Sequence, residues 1–294
     1  MDEGEWLAER FEQHRAHLRA VAYRMLGSLS DADDAVQEAW LRLSRSDPGG
    51  VQNLAGWLTT VVGRVCLDML RSRTARREEP LGVHLPDPIV TAEDGTGPEN
   101  EALLADSVGL ALLMVLGTLT PAERLAFVLH DMFGVPFDQI AVTMNRSPNA
   151  ARLLASRARR RVQGAAATPD TDLAHQREIV DAFFAASRKG DFDALVAVLD
   201  PDVVARADYG AVSAGASGPV RGATAVAKQA LRFSQLAPFV QPALVNGTAG
   251  AVVAPQGQPA TIMAFTVRRG KITEIDILAD PARLRQLDLP ALNN

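Results

Sequence analysis

Residues 119–162 read LTPAERLAFVLHDMFGVPFDQIAVTMNRSPNAARLLASRARRRV, and their apolar spacing predicts three helices, Pro121–Asp131, Phe137–Met144 and Pro148–Val162. At about 100° per residue, the third helix gathers Ala151, Leu154, Ala155, Ala158 and Val162 on one face. Asn149, Arg152, Leu153, Ser156 and Arg160 fall on the other, flanked by Arg157 and Arg159. A helix with one face for its own domain and one polar face at a short turn after another helix is the form of a helix-turn-helix, whose second helix enters the DNA major groove. Asn149 and Arg152, near the helix start, are the expected base readers, since amide and guanidinium groups make bidentate contacts to adenine and guanine. Leu153 suits a thymine methyl. Arg157, Arg159, Arg160 and Arg161 are expected on phosphates, which supply affinity without choice of sequence.

Charge supports this locally and not globally. The net charge of the 294-residue chain is −5, yet between Asp138 and Asp170 there are six arginines and no acid. Only Lys189, Lys228 and Lys271 are lysines, all late in the chain. The composition, 47% hydrophobic and 22% charged, fits two or three folded domains. One cysteine, Cys66, excludes an internal disulfide, and neither a metal nor a cofactor is expected. Met1–Trp6 is acidic, without the basic start of an export signal, and the apolar run Gly109–Gly117 is too short to span a bilayer, so a cytoplasmic location away from membranes is expected.

Upstream, residues 5–78 read as helices. Phe11, Leu18, Val21, Ala22 and Met25 share one face of the first. The second starts after a turn at Gly27–Ser30, where Ser30 and Asp33 have the capping-box form, and buries Val36, Ala39, Trp40 and Leu43. Opposite that stripe Asp31, Asp34 and Glu38 fall in a narrow arc, a repulsive arrangement that suits a basic protein partner. The third helix, Leu54–Arg73, is expected to bury Leu54, Leu58, Val61, Val65 and Met69 and to turn Thr60, Arg64 and Arg71 outward. Residues 79–98, rich in Pro, Gly and acids, read as an extended linker, followed by a helix Glu99–Gly117. A second linker spans 164–172.

Beyond it the pattern changes. His175–Arg188 and Phe192–Leu199 read as helices, whereas Gly250–Val253, Ala260–Arg268 and Ile272–Leu278 read as strands, the last two joined by a hairpin at Arg269-Gly270-Lys271. The expected fold class is therefore multidomain: two all-α DNA-binding domains, the second a helix-turn-helix, followed by an α+β domain in residues 173–294.

Three stretches carry a resemblance: RAVAYRMLGSLSDADDAVQEAWLRL (19–43), GWLTTVVGRVCLDMLRSRTARR (56–77) and the helix-turn-helix above are similar to the two conserved regions of extracytoplasmic-function σ factors. The resemblance implies that residues 1–78 are σ region 2, which binds the clamp helices of the RNA polymerase β′ subunit and reads the melted downstream promoter element. Residues 99–163 are then region 4, which binds the minus-35 element of promoter DNA as duplex. It places Asp31, Asp34 and Glu38 in the polymerase-binding segment and Arg64, Asp68, Arg71 and Arg73 beside the melted strand. Asn149, Arg152, Ser156 and Arg157 fall in the recognition helix. Gly63-Arg64-Val65 stands where many members carry Ala-Arg-Asn.

REIVDAFFAASRKGDFDALVAVLDPDVVARAD (177–208) resembles the SnoaL-like cone. The whole chain thus resembles the σ subgroup with such a domain fused in cis. That resemblance implies control of activity through a contact between the linker, at Pro86, Asp87 and Pro88, and two segments of the cone. These are Asp208-Tyr209-Gly210 and Asp280-Pro281-Ala282-Arg283-Leu284, both departing from the subgroup motifs. Two rival readings concern the cone cavity. An enzyme would need an acid or base there, and His175, Asp181, Asp208, Tyr209 and Asp276 are the candidates, although His175 and Asp276 are expected in solvent. A sensor of a small-molecule ligand would need only the pocket.

Overall fold

The computed structural model describes residues 3–45, 53–76, 83–92, 109–165, 170–210, 218–287 and 289. The chain divides into two compact units. One holds Met1–Glu79 and Leu112–Ala165, the other Pro80–Asn100 and Ala166–Asn294.

The first unit is helical: α1 (Glu3–Leu26), α2 (Leu29–Ser44), α3 (Leu54–Arg76), α4 (Leu110–Gly117), α5 (Pro121–Phe127), α6 (Phe137–Met144) and α7 (Pro148–Ala165). The α1 stripe Phe11, Leu18, Val21, Ala22 and Met25 is buried, and Trp40 of α2 packs its ring 5.1 Å from that of Phe11. The cap of α2 differs from the sequence expectation. Ser28, not Ser30, is the N-cap, its hydroxyl accepting from Asp31 N. Asp33 instead pairs with Arg19 at 2.7 Å, so a tertiary cation takes the carboxylate that a capping box would have used.

In α3 the buried set is Leu58, Thr59, Val62, Gly63, Val65, Cys66 and Leu67, wider than expected and offset from Leu54, Val61 and Met69, which are half-buried. The reason is a second neighbour. A β-carbon on Gly63 would lie 3.0 Å from Leu129 Cδ1 and 3.2 Å from Leu125 Cδ1, so α3 packs against α1 and α2 on one side and α5 on the other. Arg24 and Arg124 are buried in the same region. Arg124 Nε donates to Arg24 O at 3.2 Å, while the Arg24 guanidinium lies 5.1 Å from the centre of the Phe133 ring. Burial lowers the Arg124 pKa to about 10.

Helix α5 is shorter than predicted. It begins with a capping box between Thr120 and Glu123, and at Val128–Met132 it widens into a π turn. Of the predicted helix Glu99–Gly117, the part before Gly109 lies outside the described residues, as do 79–82 and 93–98 of the linker.

The second unit holds a seven-stranded sheet in the order β1 (Val90–Thr91), β4 (Val240–Val245), β5 (Thr248–Val253), β6 (Thr261–Arg268), β7 (Lys271–Leu278), β2 (Leu199–Asp208) and β3 (Val220–Arg221). The pair β2 and β7 is parallel and the other pairs are antiparallel. Helices α8 (Leu173–Lys189), α9 (Phe192–Val198) and α10 (Ala223–Arg232) bury Phe183, Phe184, Leu195 and Val226 against Phe265, Ile272 and Ile275 of the sheet. Arg177 ties α8 to the sheet by donating to Gly250 O and Ala243 O. The predicted hairpin at Arg269-Gly270 is present, and Asp170 accepts both of its amide protons; these bonds lower the Asp170 pKa.

The main departure is at the expected linker. Leu85, Pro88, Ile89, Val90 and Thr91 are buried, and Val90–Thr91 is a strand of the sheet, paired Val90 to Val245 and Thr91 to Leu244. The Pro, Gly and acid content that reads as an unpacked linker conceals an apolar core, Leu85 to Val90, that adds to an open sheet edge.

Candidate nucleic-acid interface and linker clip

The helix-turn-helix is α6, a turn, and α7. Asn145 closes α6 in the left-handed conformation, φ 54°, so its amide caps α6 while the chain reverses. Ser147 Oγ then accepts from Ala150 N at 3.2 Å and Pro148 occupies the first turn, which starts α7. Ala151, Leu154, Ala155 and Ala158 are buried, whereas Asn149, Arg152, Leu153, Arg157 and Arg160 are exposed and Ser156 is half-buried. The outward face predicted from the helical period is therefore one continuous surface. Arg152 donates to Asn149 Oδ1 at 2.9 Å, and its guanidinium lies 5.6 Å from the centre of the Phe137 ring. The two base-reader candidates are thus held together. Val142, on α6, is 78% exposed and joins Leu153 as an apolar contribution that charge-based reasoning missed.

Two arginines expected on phosphates have partners inside the unit. Arg159 pairs with Asp131, and Arg161 Nη1 reaches Glu123 Oε2 at 3.1 Å. Both brace α7 against α5 and the π turn, because their positions on α7 face that helix. Of the four, Arg157 and Arg160 are exposed and have no ion pair among the described residues.

On α2 and α3, Asp34 is exposed, Glu38 pairs with Arg42 of its own helix at 2.9 Å, and Asp31 pairs with Arg73 at 2.6 Å. Arg64, Asp68 and Arg71 are exposed, with Arg71 3.9 Å from Asp68. The α2 acids and the α3 cations are therefore not separate surfaces. They meet at Asp31 and Arg73.

The second unit closes a clip on residues 84–91. Asp208, 3% exposed, accepts from Leu85 N at 2.9 Å and from Arg283 Nη1 at 2.6 Å. Arg283 also donates to Leu85 O at 2.7 Å and, through Nε, to Asp87 Oδ1 at 3.1 Å. His84 Nδ1 lies 3.5 Å from Asp208 Oδ2. Further along, Ile89 and Asn246 exchange two bonds, Ile89 N to Asn246 Oδ1 and Asn246 N to Ile89 O. Asp280 caps α11 (Pro281–Leu284), accepting from Ala282 N at 2.8 Å, and a β-carbon on Gly210 would lie 2.4 Å from its carboxylate. Gly210 also has φ +70°, so glycine is required there twice over. Leu284 is buried, Pro281 takes the first position of α11, and Pro86 and Asp87 are half-buried. Sequence reasoning missed Asn246 and placed no weight on Arg283, the cation at the centre of the clip. Its two acids, Asp87 and Asp208, were the available signal.

A cavity of about 140 Å³ lies between α8, α10 and one face of the sheet. Its wall is apolar, with Ser187, Gln229, Thr261 and Tyr209 the polar members. Of the proposed acid and base candidates only Tyr209 lines it. Asp276 is not in solvent as expected: it is 2% exposed, 2.9 Å from Arg206, and burial pushes its carboxyl up to about 6 although Arg206 pulls the other way. Its neighbours Ile275 and Ile277 face the cavity, so strand alternation points Asp276 away from it. His175 and Asp181 are exposed.

Residues 10–76 match the family described as Sigma-70 region 2, and residues 109–162 match Sigma-70, region 4. The ECF RNA polymerase sigma factor SigJ of Mycobacterium tuberculosis is 42% identical over 287 residues, covering 92% of this chain and 91% of that protein. Probable ECF RNA polymerase sigma factor SigI of the same species is 36% identical over 291 residues, covering 98% of each. The crystal structure of Mycobacterium tuberculosis SigJ matches with a TM-score of 0.76 at 38% identity, over 96% of this chain and 100% of that one, so the likeness includes the SnoaL-like domain. None of the described helices is long and apolar enough to cross a membrane. A helix-turn-helix with an outward arginine face, a region 2 bundle and a fused α+β cone, matched over nearly the whole length, place the chain in the extracytoplasmic-function σ factor family: it binds RNA polymerase core and promoter DNA and directs promoter-specific transcription initiation.

Proposed function

We propose that the fused cone controls this σ factor in cis by holding the segment that joins regions 2 and 4. The clip carries the reading: a buried carboxylate, Asp208, and a guanidinium, Arg283, together take the amide, the carbonyl and a side chain of residues 85–87. The two regions must span two promoter elements at a set spacing, so a segment held in place restricts the arrangements they can adopt. In this scheme Asp31, Asp34 and Glu38 engage polymerase. Arg64, Asp68, Arg71 and Arg73 lie beside the melted strand, and Asn149, Arg152, Leu153, Ser156, Arg157 and Arg160 read or grip the minus-35 duplex.

The test is transcription by purified polymerase core with the full chain, with Arg283→Ala, and with chains ending before Asp280 or before Thr168. Altered promoter output from Arg283→Ala and from both truncations is expected. Equal output from all four overturns cis control.

The cavity favours a ligand sensor over an enzyme as the domain's second property. Among the described residues its wall carries no carboxylate, imidazole or cation, which leaves Tyr209 for proton transfer at neutral pH.

A further inference from the structure

We propose that the cone cavity is an effector site for a small neutral molecule of one ring with a single hydrogen-bonding group, and that its occupancy is felt at the linker clip. Size sets the first limit. A cavity of about 140 Å³ is close to the roughly 150 Å³ of an engineered cavity that takes up benzene, which points to about 6 to 10 non-hydrogen atoms. The wall sets the second. Phe184, Val226, Met263 and Ile277 offer apolar contact, while Tyr209 and Gln229 offer hydrogen bonds and none of the described wall residues compensates a charge. A charged ligand would lose its hydration without a partner. Phe233, on the wall and 49% exposed, leaves an apolar edge that a bound ring would cover.

The coupling follows from chain continuity. Tyr209 and Ala279 line the cavity, Tyr209 directly follows Asp208, and Ala279 directly precedes Asp280. Ala279 N also donates to Asp208 O at 2.8 Å. The backbone that presents the Asp208 carboxylate to Leu85 is thus the backbone that forms one wall of the cavity. A ligand touching Tyr209 resists the movements that withdraw Asp208, so binding slows release of the linker. This coupling rests on the cis-control reading, whereas binding itself does not.

Met263 is the one methionine after Met144, so its methyl resonance reports on the cavity while the other methionines serve as internal controls. The probe is p-cresol, with p-hydroxybenzoate as the same ring bearing a charge. Titration of the full chain with p-cresol is expected to shift the Met263 methyl saturably, with half-effect at about 0.1 to 5 mM, and to leave the others in place. Neither p-hydroxybenzoate on the parent nor p-cresol on Ala230→Phe or Ala237→Leu, which fill the cavity from two walls, should shift it. At saturation, hydrogen exchange of the peptide containing Leu85 and Ile89 is expected to slow at least threefold relative to α1. A Met263 signal that does not move, or that moves equally with the charged probe, overturns the site. A saturable Met263 shift with unchanged exchange at Leu85 overturns the coupling and leaves the transcription test of the clip to stand by itself.

Discussion

Arg73 Nη2 lies 2.6 Å from Asp31 Oδ2, joining the end of α3 to the first turn of α2. One side chain belongs to the surface assigned to the melted strand and the other to the surface assigned to polymerase, so neither is wholly available while the pair holds. The pair is partly exposed, at 36% and 23%, and contributes at most about 1 kcal/mol, small enough for a partner to displace.

Asp31→Asn is expected to free Arg73 and keep the fold. Binding of a fluorescent single strand of promoter, measured by anisotropy over a range of salt, should then steepen by about 0.7 in log–log slope, the increment for one phosphate on a single strand. Glu38→Gln should leave the slope alone, because Glu38 engages Arg42. An unchanged slope for Asp31→Asn would show that Arg73 reaches no phosphate.

Arg152 and Arg159 should separate cleanly. Arg152→Ala is expected to lose about 1 to 3 kcal/mol and to relax choice at one base position, while Arg160→Ala weakens all sequences alike and lowers the salt slope by about 0.9. Arg159→Ala removes the bond to Asp131 and should lower the unfolding temperature with little change in slope. Binding to a panel of minus-35 variants, with thermal unfolding alongside, distinguishes the three.

The clip can be tested without polymerase. Arg283→Ala leaves the buried Asp208 and the half-buried Asp87 without the Arg283 cation, a loss of about 3 kcal/mol for linker docking. Hydrogen exchange at Leu85 should accelerate about 100-fold, since about 1.4 kcal/mol corresponds to tenfold. Gly210→Ala should act in the same direction through its clash with Asp280. Parent-like exchange in both variants would mean that β1, not the ion cluster, holds the linker.

Asp276 gives a pH signature. Its carboxyl is raised from 3.8 to about 6, so the folded state binds the proton more tightly than the unfolded chain does. The stability this confers is present below about pH 4 and lost as pH rises to about 6, a span of about 3 kcal/mol in this one contribution. With Asp276→Asn that fall is absent. The stability of the variant minus that of the parent, from urea unfolding, should therefore rise between pH 4 and 6 and level off above; a flat difference contradicts it.

The recognition helix was legible because a helix facing solvent on one side and a core on the other writes its period into the residues: Ala151, Leu154, Ala155 and Ala158 follow it, and Val162, near the helix end, is half-buried. What failed depended on distant partners. Arg159 and Arg161 look like free cations until Asp131 and Glu123, 28 and 38 residues earlier, are placed beside them. Asp276 looks solvated on an alternating strand because nothing local shows that the face opposite the cavity is covered too. β4 was hidden by Pro242, which demotes a run as a strand, although the Asn246-Gly247 turn after it was a hairpin signal that could have recovered both β4 and the residue that holds Ile89.

β1 is only two residues long, yet it terminates the sheet on the β4 side. If the linker leaves, Leu244 and Val245 lose their partners and the outer edge of β4 presents backbone amides and carbonyls to solvent there, a template that an extended chain can extend. Release is therefore not a simple subtraction. It creates an adhesive border at the moment the regulator lets go, and a second copy of the same linker is the segment best shaped to occupy it. Redocking of the linker and strand exchange between molecules then become competing fates of the freed edge, with protein concentration deciding between them.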